Sequence, residues 1–133
     1  MQPQTRFESN NKQNTLSVTK LYIPVPRQDL VFRDRLHRLL NAGLNRRFTL
    51  VSAPAGSGKT TLLNSWCTRS QPDRIAAWVS LDSFDNDPVR FWTYITAALE
   101  ALHSGMGSEA QAILESSHTP SINAVLVSLC NEL

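Results

Sequence analysis

Cysteine is scarce in this sequence. Cys67 and Cys130 are the only two, each in an apolar, helix-like context. They lack metal-binding spacing, which excludes a cysteine-built zinc site and points to buried thiols in a reducing, cytoplasmic compartment. No stretch approaches the ~18 apolar residues of a membrane span, and the N-terminus lacks the apolar centre of a signal peptide. Histidine is rare too. His37, His103 and His118 have no partner spacing suited to a metal and are expected in structural or surface roles. A net charge of only +2 is too small for a whole-molecule attraction to nucleic acid or membrane.

What is present suffices for one domain with a core: 133 residues, 41% of them hydrophobic, with three tryptophans. The charges are segregated. Residues 1–74 hold twelve Lys/Arg against four acids, and residues 75–133 hold one Arg against seven acids. Two readings stand: solvated faces of opposite sign, or a basic half that surrounds an anionic ligand. Arg33, Arg35 and Arg38 fall under the first of these.

Residues 1–18 are rich in Gln, Asn, Ser and Thr, too polar to offset the entropy of ordering, and are expected to be a disordered tail. A single domain is expected over residues 19–133. Pro24 and Pro26 keep TKLYIPVPR extended. Phe32, Leu36, Leu39 and Leu40 then recur at helical spacing, and Gly43 supplies a stop. FTLVS, Phe48 to Ser52, reads as a strand. The pattern turns helical from Gly58, with Leu62, Leu63, Trp66 and Cys67, and IAAWVSL, Ile75 to Leu81, reads as a second strand. Strand, glycine loop, helix, strand predicts an α/β fold with a parallel sheet. Further on, Asp87 is a candidate cap with Pro88 at the first helical position, ahead of an apolar face of Phe91, Trp92, Ile95, Leu99 and Leu102. Ser108 with Gln111 suggests a capping box. A last amphipathic helix is expected to carry Ile122, Val125, Leu126, Leu129 and Leu133 on its apolar side.

Between the first strand and the helix lies Ala53–Pro54–Ala55–Gly56–Ser57–Gly58–Lys59–Thr60, the phosphate-loop pattern with Ala in place of its first Gly. Gly56 and Gly58 allow backbone conformations that turn successive N–H groups onto phosphate oxygens. The following helix aims its positive end at the same point. Lys59 is placed to reach the β- and γ-phosphates, the Thr60 hydroxyl to ligate Mg²⁺, and Thr61 to donate to the α-phosphate. Asp82, Asp85 and Asp87 follow the second strand, either as ligands of water or Mg²⁺ or as caps and turn formers.

With these residues in view, about Thr19 to Leu133 resembles the N-terminal ATP-binding part of the large ATP-dependent LuxR-type transcriptional activators. These are signal-transduction ATPases of the maltose-regulon-activator kind. Four stretches carry the resemblance. TKLYIPVPR with Val31 and Arg33 is similar to a segment that lies against the nucleotide base. VSAPAGSGKTTLL is similar to the phosphate loop and AAWVSLD to the second strand. DNDPVRFWTYITAALE, Asp85 to Glu100, resembles a stretch distinctive of this group.

The resemblance implies ATP and Mg²⁺ as cofactors, with Ala53 to Thr61 as the binding loop and Thr60 on the metal. It implies slow hydrolysis, and an active oligomer favoured by ATP in the intact regulator. No apolar run ending in paired acids follows Leu81, and the resemblance places further strands between the two predicted here. The expectation is therefore a truncated domain with unpaired strands, poorly stable alone, with weak nucleotide binding, little turnover and no DNA binding of its own. Two alternatives stay open. One is a phosphate-loop kinase, against which the Arg-poor second half argues. The other is a fragment without function.

Overall fold

The computed structural model of the protein describes residues 16–25, 31–70, 76–116 and 119–132. Helix α1 runs Asp34–Gly43, α2 Lys59–Ser65, α3 Pro88–Leu102, α4 Ser108–Ser116 and α5 Ile122–Glu132. A π-type turn, Trp66–Ser70, prolongs α2, and 3-10 turns occupy Val18–Leu21 and Ser83–Asn86.

The α/β fold with a parallel sheet, expected from the sequence, is corrected by the structure: the described residues contain helices and no strand. Phe48 to Ser52 and Ala76 to Leu81 are irregular, and Ile75 lies outside the described residues. The reason is pairing. An apolar run becomes a strand only where a neighbour takes up its N–H and C=O groups. No described segment offers either run a ladder; the Ser80 N–H instead donates to the Lys20 carbonyl at 2.8 Å. A covering layer is missing as well, since Phe48 and Leu50 stand 77% and 74% exposed.

The core lies in α3, α4 and α5. Ala110 with Leu114, and Val125 with Leu129, are each four residues apart and so share a helix face. These four residues form the buried cluster, closed by Trp92 and Leu99 of α3. Asp87 caps α3 by accepting the Arg90 N–H at 2.8 Å, and Pro88 opens the helix. The capping box expected of Ser108 is absent: Ser108 is already helical, and the Gln111 amide reaches forward to Glu115 at 2.9 Å.

On α3 the expected apolar face is only half-buried, and the largest fully buried side chain is Tyr94, with 0% exposure. Its hydroxyl accepts the Ser17 N–H at 3.0 Å. Residues 1–15 of the expected tail lie outside the described residues, but Leu16 to Val18 are described and Ser17 is docked. Just beyond, the Lys20 ammonium lies 2.8 Å from Asp82 and 2.5 Å from Asp85. Asp85, whose side chain is 1% exposed, also accepts from the Arg90 guanidinium at 3.0 Å and from the Asp82 N–H at 2.8 Å. The first chain segment is thereby clasped to the start of α3.

Cys67 is half-buried, and burial pushes its thiol pKa up; Cys130 is exposed, contrary to the expectation of two buried thiols. Leu39, expected on the inner face of α1, turns outward, and His37 takes the buried position beside Leu40. No helix among the described residues is long and apolar enough to cross a membrane.

The Asp85 clasp predicts an acid-sensitive stability. The Lys20 ammonium, the Asp82 N–H and Arg90 hold its carboxyl down at about 2, and Lys20 lowers Asp82 as well. A depressed folded-state pKa stabilises the fold above the ordinary carboxylate value, and that contribution is lost as the pH falls from about 4 toward 2. Asp85→Asn is expected to be less stable than the unaltered chain at neutral pH, with the gap narrowing across that window. Urea midpoints measured at several pH values check this; a gap independent of pH contradicts it.

Candidate functional site

The loop ahead of α2 takes its shape from two glycines. Gly56 has φ +77° and Gly58 φ +85°, whereas no described non-glycine residue has a positive φ. Such values are costly for a residue with a Cβ. They bracket Ser57, whose N–H donates to the Pro54 carbonyl at 3.3 Å and closes the turn. Gly58 is the N-cap residue of α2, and its carbonyl accepts the Leu62 N–H at 2.8 Å.

Lys59 folds back over this turn. Its ammonium donates to the carbonyls of Ala53 at 2.6 Å and Pro54 at 2.9 Å. An ammonium carries three protons, so one remains for a further acceptor. Ser57 Oγ is buried without a hydrogen-bond partner, an arrangement that leaves polar capacity inside the turn. Ala55 and Gly56 are exposed, as are the Thr60 and Thr61 side chains. The expected residues from Ala53 to Thr61 therefore form one continuous turn and first helical turn, with the lysine at its centre.

A cleft of about 170 Å³ opens beside the turn. Gly58, Thr61, Leu62 and Ser65 form one side, and Val31 and Arg33 the other. Sequence reasoning singled out Val31 and Arg33 but not the polar residues behind the cleft. His37 Nε2 lies 3.0 Å from Ser65 Oγ, and the Ser65 hydroxyl donates to the Leu62 carbonyl at 3.0 Å. With its proton so used, Ser65 accepts from His37 Nε2–H. Asn64 is buried and donates to the Pro24 carbonyl. The available signal was the inward face of α1, where His37 and Leu40 stand three residues apart.

Of the two roles open to the three aspartates, the structure realises capping. Asp82 and Asp85 form a reciprocal capping box on the Ser83–Asn86 turn, and Asp87 caps α3. Among the described residues no group of three or more His, Cys, Asp or Glu side chains is arranged to hold a metal ion.

No protein-family model and no solved structure matches the chain. Curated relatives do. Over 115 residues, 86% of this chain, it is 42% identical to the HTH-type transcriptional regulator MalT of Yersinia enterocolitica. The regulators of the same name in Serratia proteamaculans and Yersinia pestis are 39% and 37% identical over the same length. The chain spans 12% of the length of each of these relatives. Over those 115 residues the chain is similar to HTH-type transcriptional regulators named MalT.

The loop geometry yields a stability prediction. A Cβ on Gly58 meets nothing closer than Thr61 Cβ at 4.0 Å, so only the left-handed backbone resists a side chain there. Gly58→Ala should cost about 1–2 kcal/mol of stability. A urea titration beside a Ser57→Ala control reads this; equal stability of Gly58→Ala and the unaltered chain would mean the turn adopts another backbone form.

Proposed function

We propose that this chain is a nucleotide-binding segment of a LuxR-type transcription regulator, with Mg²⁺·ATP held by the turn from Ala53 to Thr61. The observation that carries the reading is the pair of left-handed glycines around Ser57, directly ahead of Lys59. A side chain at either glycine is strained, and the buried Ser57 hydroxyl lacks a partner. Both features suit a turn whose polar groups face a ligand rather than one another.

In this reading Lys59 holds the β- and γ-phosphates with the proton its carbonyl partners leave over. Ala53 and Pro54 keep the ammonium over the turn before the nucleotide arrives, which lowers the cost of ordering it. The Thr60 hydroxyl is the protein's ligand for Mg²⁺, and Thr61 donates to the α-phosphate. Bound Mg²⁺ neutralises charge on the phosphate oxygens. The cleft between Val31, Arg33 and Thr61 receives the base end. Asp82, Asp85 and Asp87 are committed to caps and ion pairs, so they activate no water, and slow turnover at most is expected.

In the intact regulator, ATP bound here favours an active, oligomeric state by binding it more tightly than the inactive one. DNA recognition belongs to another part of such a regulator. Nothing in the geometry favours the phosphotransferase alternative.

Lys59→Ala tests the reading. It should weaken ATP binding at least about tenfold in titration calorimetry with Mg²⁺, with the helical circular dichroism preserved. Unchanged affinity would remove the turn as the binding site.

A further inference from the structure

Ser65 is the last residue of α2 and the most buried of those lining the cleft, at 8% exposure against 84% for Val31 on the other side. It stands one turn beyond Thr61 on the same helix face. From Lys59 to Ser65 the helix rises about 9 Å. A group that far from the lysine meets the nucleoside end of a bound nucleotide rather than its β- and γ-phosphates.

What Ser65 can offer a ligand is fixed by its partners. A serine hydroxyl has one proton and two lone pairs. The Leu62 carbonyl takes the proton at 3.0 Å, and His37 Nε2–H, also at 3.0 Å, takes one lone pair. In the other tautomer of His37 the ring nitrogen would take the proton instead. In neither case is a proton left for the cleft, so toward a ligand Ser65 only accepts. Arg33 opposite carries donors only. Among the described residues that line the cleft, none has a carboxylate or amide side chain. Ser65 is thus the one buried side-chain acceptor there.

These walls suit a flat ring with an amine on its edge. Val31 and Leu62 give apolar contact, and the amine gives Ser65 its donor. A ring carbonyl at that point would set one lone pair against another. We infer that Ser65 selects the base: its hydroxyl accepts from the exocyclic amine of adenine, so the site takes a 6-aminopurine nucleotide in preference to one without that amine. This rests on the nucleotide reading above.

Titration calorimetry on the unaltered chain with Mg²⁺ compares three ligands: ATP, the triphosphate of purine riboside (ATP without its 6-amine) and inorganic tripolyphosphate. ATP should bind about tenfold more tightly than the amine-free analogue. Ser65→Ala should bring ATP down to that weaker level and leave the other two ligands within about twofold, with helical circular dichroism preserved. Should Ser65→Ala lose its helical signal, Ser65→Cys, which keeps the side chain's shape but accepts poorly, is judged by the same split. Equal weakening of all three ligands would overturn the inference by making Ser65 a structural residue. Equal affinity of the unaltered chain for ATP and the amine-free analogue would also overturn it, and leave the phosphate reading standing. Binding of none of the three would bring down the nucleotide reading and this inference with it.

Discussion

The Asp85 carboxylate accepts from the Lys20 ammonium, the Arg90 guanidinium and the Asp82 N–H, donors drawn from three separate stretches of chain. At 1% side-chain exposure it has little access to water, and a buried carboxylate without such donors is costly. The value of an arrangement of this kind lies in geometry more than in net stability, because desolvation consumes much of the attraction. Here it fixes where the first described segment runs. From Lys20 that segment reaches Pro24, and Pro24 meets Asn64 on α2. The helical core and the glycine turn are joined through this strap.

Helix positions were the most legible part of the sequence. Asp87 and Pro88 start α3 for the reasons their chemistry supplies, and Gly43 closes α1. The sheet was read wrongly. FTLVS and AAWVSL have the composition of strands, but strand formation depends on a partner backbone, which a local window does not contain. The inner faces were legible only in part. Tyr94 lies off the predicted apolar face because the surface it meets is the Ser17 to Lys20 segment, far away in sequence. His37 replaces Leu39 at the buried position because its ring has a partner in Ser65.

At the candidate site, the glycine turn was legible because it is local: residue type dictates backbone conformation, and both glycines take positive φ. The cleft behind it was legible only through Val31 and Arg33. Asn64 and Ser65 read as ordinary polar positions of an amphipathic helix, and their burial against Pro24 and His37 arises from contacts between distant segments. The aspartates after Leu81 show the converse. Their spacing left a metal role open beside caps and turns, and the nearby donors of Lys20, Arg90 and the backbone engage them in caps and ion pairs.

The central claim is that the turn from Gly56 to Thr61 is the triphosphate site. Its most direct test follows the backbone amide resonances of the ¹⁵N-labelled chain as Mg²⁺·ATP is added. The account predicts the largest shifts at Gly56, Ser57, Gly58, Lys59, Thr60 and Thr61, with smaller ones at Val31 and Arg33. Largest shifts in α4 or α5, or none anywhere at saturating nucleotide, would contradict it.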